Sequence, residues 1–127
     1  MPYARKDLLT WQKGMYYHIY NRGVSKVTIF REETNFLFTI GKIKEYSQAN
    51  NISMIAYCLE PNHYHFLVRQ DGEEPAGNLP QSVFNSYTKA YNKKYETSGT
   101  LFEGRFHAKA VQTKSHLLLD FCTLKIK

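Results

Sequence analysis

Two apolar runs, residues 52–59 and 63–69, lie back to back with only Glu60, Pro61 and Asn62 between them. Both are short and rich in Ile, Met, Tyr, Phe, Leu or Val, and so read as β-strands. Pro61 and Asn62 are turn residues, which makes the whole stretch a hairpin. Side chains alternate faces along a strand, so His63 and His65 share one face, while Tyr64 and Phe66 point to the other, into whatever the sheet packs against. Two imidazoles on one face at the start of a rigid strand can share one metal ion. An isolated His-x-His on a half-buried sheet is more often a pair of ordinary surface groups. The tight turn in front of this one favours the metal reading.

The flanking sequence supplies the rest of one α+β unit. Residues 15–20 are aromatic and β-branched and run into Asn21-Arg22-Gly23, a strand followed by a turn. Across residues 32–48 the apolar positions Phe36, Leu37, Ile40, Ile43 and Tyr46 recur at helical spacing, with Gly41 weakening the helix. Residues 70–77 form a loop. A second helix is expected over 79–95, with Asn78 as its cap and Pro80 in its first turn, and Thr97-Ser98-Gly99 stops it. Residues 106–112 alternate as a last strand, and 115–124 begin a third helix. Strand, helix, strand, strand, helix, strand is the order of a ferredoxin-like fold, an antiparallel sheet with helices packed on one face.

Length and composition limit the alternatives. A chain of 127 residues with 43% hydrophobic and 15% aromatic content is read as one domain, residues 1–127, able to bury a core without staples. Cys58 and Cys122 are too few for a disulfide framework and stand in no metal-binding spacing, so a reducing, cytoplasmic location is expected. No stretch reads as a signal peptide or reaches membrane-spanning length. Lys and Arg number 17 against 11 acids, a net charge of +6, which favours a polyanionic partner.

Three stretches together resemble the HUH single-tyrosine transposases, and within them the REP-associated tyrosine transposases of bacteria. Tyr17-His18-Ile19-Tyr20-Asn21-Arg22-Gly23, with Ile29-Phe30 following, is similar to the family's first strand and turn. Pro61-Asn62-His63-Tyr64-His65 resembles the HUH motif, with Tyr64 in its bulky slot. Ser98-Gly99-Thr100-Leu101-Phe102-Glu103-Gly104-Arg105-Phe106 is similar to the segment leading into the last core strand. The resemblance implies a nucleoid-associated protein that cleaves and rejoins single-stranded DNA beside small hairpins. It also implies a divalent cofactor, Mg or Mn, held by His63 and His65 as catalytic metal ligands with a third polar side chain, and it allows a homodimer. A tyrosine nucleophile forms a phosphotyrosyl link that conserves bond energy for rejoining.

The carboxyl end departs from that pattern. Counting along His116-Leu117-Leu118-Leu119-Asp120-Phe121-Cys122-Thr123, the nucleophile's position falls on Thr123 and the third ligand's on Lys127, and no tyrosine follows Tyr95. A threonine hydroxyl lacks the phenolic pKa and lysine is a cation. The expectation is a truncated or frameshifted copy whose fold survives and whose catalytic helix has degenerated, so that DNA is bound and no covalent adduct forms.

Other residues divide between site and scaffold. Arg22, Lys89, Lys93, Arg105 and Lys109 are the expected phosphate contacts, with Lys26 and Lys94 near them. Tyr87, Tyr91 and Tyr95 fall at i, i+4 and i+8 and read as core, the weaker alternative being that one approaches the metal in place of the missing nucleophile. His18 reads as a core or sheet-face histidine, His107 and His116 as exposed, and Glu60 as a solvated turn residue that could complete a metal site. The competing function is a non-catalytic ferredoxin-like domain with a His-x-His metal site and no nucleic-acid role.

Overall fold

In the computed structural model, residues 10–111 are described. The hairpin forms as its turn chemistry requires: β2 (Ile52–Glu60) and β3 (His63–Gln70) pair antiparallel from Ile52 opposite Gln70 to Glu60 opposite His63, with one register shift between Met54 and Ala56. On the other side of β3 lies β1 (Tyr16–Arg22), and β4 (His107–Val111) pairs with β1. The sheet order is β2-β3-β1-β4 with every neighbour antiparallel. This is the ferredoxin-like α+β arrangement expected from the element order. Its crossovers are α1 (Glu33–Ala49), between β1 and β2, and α2 (Asn78–Tyr95), between β3 and β4.

Three local expectations are corrected. The first strand runs on through Asn21 and Arg22 rather than turning there, because β3 extends far enough to pair them with Tyr64 and His63. Leu37 is 59% exposed and lies outside the buried stripe of α1, which is centred on Asn35, Thr39 and Ile43 with Phe36, Phe38 and Tyr46 packed beside it. The polar members of that stripe are satisfied locally. Asn35 Oδ1 accepts from the backbone N–H of Arg31 (2.7 Å) and Glu32 (3.0 Å), and Thr39 Oγ1 donates to the Asn35 carbonyl (2.9 Å), so the helix start is capped from inside. Asn78 is the first residue of α2 and not its cap, which is Gly77. The Asn78 amide instead donates to Glu74 (3.3 Å).

Both helices bear on the sheet face that carries Tyr17, Ile19, Tyr64, Phe66 and Val68, all buried, and α2 contributes Leu79, Val83, Phe84, Tyr87 and Tyr91 to the same core. Tyr64 stacks on Phe84 with ring centroids 4.1 Å apart. Among the described residues, no helix is long and apolar enough to cross a membrane. The third helix expected over 115–124 lies outside the described residues, as do His116, Cys122, Thr123 and Lys127.

Candidate functional site

The face of the sheet turned away from the helices collects the chemistry. Pairing sets Arg22 opposite His63 and Tyr20 opposite His65, while on its other edge Tyr20 stands opposite His107 and His18 opposite Lys109. From β2, Glu60 stands opposite His63. His63 and His65 therefore project from one face, as their spacing demands, with ring centroids 5.2 Å apart and planes nearly perpendicular at 88°.

Each ring is oriented through its Nδ1. Asn62 Oδ1 can only accept, so His63 Nδ1 donates across the 2.9 Å contact, and in the neutral ring that tautomer puts the lone pair on Nε2. His65 Nδ1 meets His18 Nε2 at 3.0 Å, and the tautomer that donates from His65 likewise puts its lone pair on Nε2. Partners of this kind on the far nitrogen hold metal-ligating histidines in orientation. Burial pushes the His18 imidazole down to about 4, helped by the neighbouring His65 and Lys109 charges. Burial also lowers His65, with His63 adding to the effect and Glu60 opposing it. Neutral imidazole is the form that ligates a cation.

These donors fit two positions of a divalent ion's coordination sphere, and among the described residues no group of three or more His, Cys, Asp or Glu is arranged to hold a metal. Glu60 shares the face but does not complete such a group.

Beside the two histidines opens a cavity of about 600 Å³, walled by Tyr20, Arg22, Lys26, Asn62 and His107 as well. Tyr20 is the aromatic centre of this wall, its ring stacked near His107 (5.1 Å) and His65 (5.7 Å) and tilted on His18 (4.9 Å). Lys26 reaches the cavity through the short turn Val24–Lys26, in which Ser25 and Lys26 both take positive φ. That turn folds tightly over Gly23, where a Cβ would lie 2.5 Å from the Val27 carbonyl oxygen, a contact only glycine avoids. Arg22 pairs with Glu103 at 2.6 Å, an exposed contact that orients the guanidinium.

The expected phosphate contacts do not form one patch. Arg22 and Lys109 stand on the histidine face. Arg105 is exposed at a second groove, between α2 and the chain leading into β4. Lys89 and Lys93 are exposed on α2, whose buried side packs on the opposite face of the sheet. Tyr87, Tyr91 and Tyr95 also belong to that opposite side: their hydroxyls donate to the Ile29 carbonyl, the Thr28 carbonyl and Glu32. The sheet separates them from the histidines, so none stands in for the nucleophile. Sequence reasoning missed Tyr20 and the His18–His65 contact. The alternation of His18, Tyr20 and Arg22 along β1 was the available signal, and its meaning depended on knowing that β3 is the neighbouring strand.

Comparison with known proteins agrees with this architecture. Residues 11–120 match the family described as Transposase IS200 like. The chain belongs to the IS200-like transposases. A search of the curated proteins found no match. Among solved structures, this transposase-family chain is similar to a REP-associated tyrosine transposase bound to a REP hairpin. That match has a TM-score of 0.71 and 13% identity, and covers 94% of this chain and 67% of that one. It is also similar to the crystal structure of a transposase candidate from Deinococcus radiodurans R1, with a TM-score of 0.62 and 10% identity, covering 94% and 93%. At these identities the likeness is one of fold.

Proposed function

We propose that this transposase-family chain binds single-stranded or hairpin DNA at the histidine face, with a divalent ion, Mg or Mn, held by His63 and His65. The observation that carries the reading is the meeting of two Nδ1-anchored imidazoles with Arg22, Lys26 and Tyr20 around one cavity. A phosphate entering it would meet two cations, the contact that holds nucleic acid without reading sequence. The hairpin carried by a fold relative supports the choice of nucleic acid. A bound ion would supply Lewis-acid stabilisation of charge on phosphate oxygens. The protein's part is to orient the imidazoles and to hold the phosphate with Arg22 and Lys26. Lys109 extends the basic rim of the same face, and Arg105, Lys89 and Lys93 would serve DNA leaving it on the α2 side.

Strand cleavage is outside this reading, because Thr123 stands where the resemblance expects the nucleophile. With Mn and a labelled hairpin, the chain should yield no covalent adduct on denaturing gels. The protein would act in the bacterial cytoplasm at the nucleoid, and a homodimer is the assembly to look for by ultracentrifugation with and without DNA.

Calorimetry and hairpin binding test the proposal. His63→Ala with His65→Ala should abolish Mn binding, and DNA affinity should fall steeply with salt, tracking the number of phosphates contacted. Absence of binding at low salt, or equal affinity for blunt duplex and hairpin, would overturn the DNA role. Mn binding retained by the double variant would overturn the metal site.

A further inference from the structure

The second groove, about 490 Å³, lies between α2 and residues 102–106. One wall is helical: Gln81, Phe84, Asn85 and Thr88 fall at i, i+3, i+4 and i+7 and so share a stripe. The other wall is the segment through Phe102, Gly104 and Arg105. That segment is stitched to the end of β1. The Glu103 N–H donates to the Arg22 carbonyl (2.9 Å), the Val24 N–H to the Leu101 carbonyl (3.0 Å), and the buried Asn21 amide to the Gly104 carbonyl (3.1 Å). Asn21 borders both this groove and the histidine cavity. The two openings are thus neighbours joined by a rigid seam.

We propose that this groove takes an unpaired nucleobase, preferentially adenine, from a strand whose phosphates lie on the histidine face. The proposal rests on the DNA-binding reading above and deepens it. Three observations carry it. Gln81 and Asn85 are exposed, and their side-chain amides hydrogen bond no other described residue. Each therefore offers a donor and an acceptor side by side, the pair that matches adenine N7 and N6. Phe84 and Phe102, edge to face with centroids 5.1 Å apart, give the groove an aromatic lining against which a base can pack. Arg105, exposed at the rim, adds positive charge beside the amides, in a chain of net charge +6. A small apolar ligand would leave both amides unused, and a simple anion would leave the phenyl lining unused. A base uses all of them.

Fluorescence anisotropy with two probes tests the assignment: a DNA hairpin carrying a short oligo-dA single-stranded flank, and the same hairpin with an abasic flank. The wild type should bind the dA flank about tenfold more tightly than the abasic one. In Gln81→Ala/Asn85→Ala that ratio should fall to about one, with abasic affinity unchanged. His63→Ala/His65→Ala should keep the ratio. A ratio of one in the wild type, or a tenfold ratio surviving in the amide variant, overturns the groove and leaves the DNA reading standing. Failure of the wild type to bind either probe overturns both. As a check on the wild type alone, 8-azidoadenine placed in the flank should photo-crosslink to residues of α2 or the 102–106 segment, and crosslinks confined to other surfaces would overturn the assignment.

Discussion

The two faces of the sheet are built from alternate residues of the same strands, yet they do opposite work. Toward the helices, β3 presents Tyr64, Phe66 and Val68, all essentially inaccessible to solvent and packed among aromatic side chains from α2. Toward the other side it presents His63 and His65, oriented by hydrogen-bonding atoms on Asn62 and His18, with the Tyr20 ring stacked beside His65. The first face is held by area, which is tolerant of detail and costly to lose. The second is held by direction, which contributes little to stability and much to binding. Because one strand carries both, the rigidity bought by the apolar face is passed directly to the imidazoles, without any loop between them.

The largest effect that tests this division should come from Phe66→Ala, which removes a fully buried ring and should cost roughly 3–5 kcal/mol in denaturant unfolding. A loss below about 1 kcal/mol would mean that the helix-side face is not the stabilising one. Gly23→Ala comes next. It forces the Val27 carbonyl away from the turn that carries Lys26 and should cost about 1–3 kcal/mol while also weakening hairpin binding. If stability drops and DNA affinity does not, the turn serves the fold alone.

Acid should separate the faces by a smaller margin. His18 is held down to about 4 by burial and by the His65 and Lys109 charges, whereas an unfolded histidine titrates near 6.5. Between those values the unfolded chain binds the proton and the folded chain does not, so stability is undiminished above about 6.5 and declines as the pH falls toward 4. Substituting His18→Gln should flatten that limb, and the imidazole's NMR titration should have its midpoint well below 6.5. An unshifted midpoint would mean that the ring is solvated rather than packed against His65. His63→Ala/His65→Ala should alter metal-free stability by less than about 1 kcal/mol, since the site is added to an already formed sheet, and should erase any Mn-dependent rise in Tm. Smallest of all is Arg22→Ala. Its pairing with Glu103 is exposed on both sides, so the unfolding midpoint should stay where it is while hairpin affinity drops.

Much of this molecule is legible one residue at a time. The Pro61-Asn62 turn, the two-residue alternation after it and the helical spacing through Tyr87 and Tyr91 are local signals, and they yield the hairpin, the shared face of His63 and His65 and the core role of those tyrosines. The misreadings were also local in origin. Leu37 is apolar and correctly spaced, but the polar Asn35 and Thr39 are each satisfied by backbone groups at the start of the helix and take the centre of the buried stripe. Asn78 has the chemistry of a cap, but the chain enters the helix one residue earlier.

What the sequence by itself determined is therefore the set of elements and the face each side chain takes within its own strand, because both follow from backbone periodicity. What only the tertiary structure decided is which strands are neighbours. Nothing within residues 16–22 says that β3 and β4 flank them, yet that choice brings His18 to His65, seats Tyr20 between His65 and His107, and sets Arg22 beside His63. It also divides the basic residues between two faces and ties residues 101–104 to the end of β1, forming the second groove. Pairing of strands far apart in sequence depends on burying both amphipathic helices against one surface at once. That is a property of the whole chain, and no local spacing encodes it.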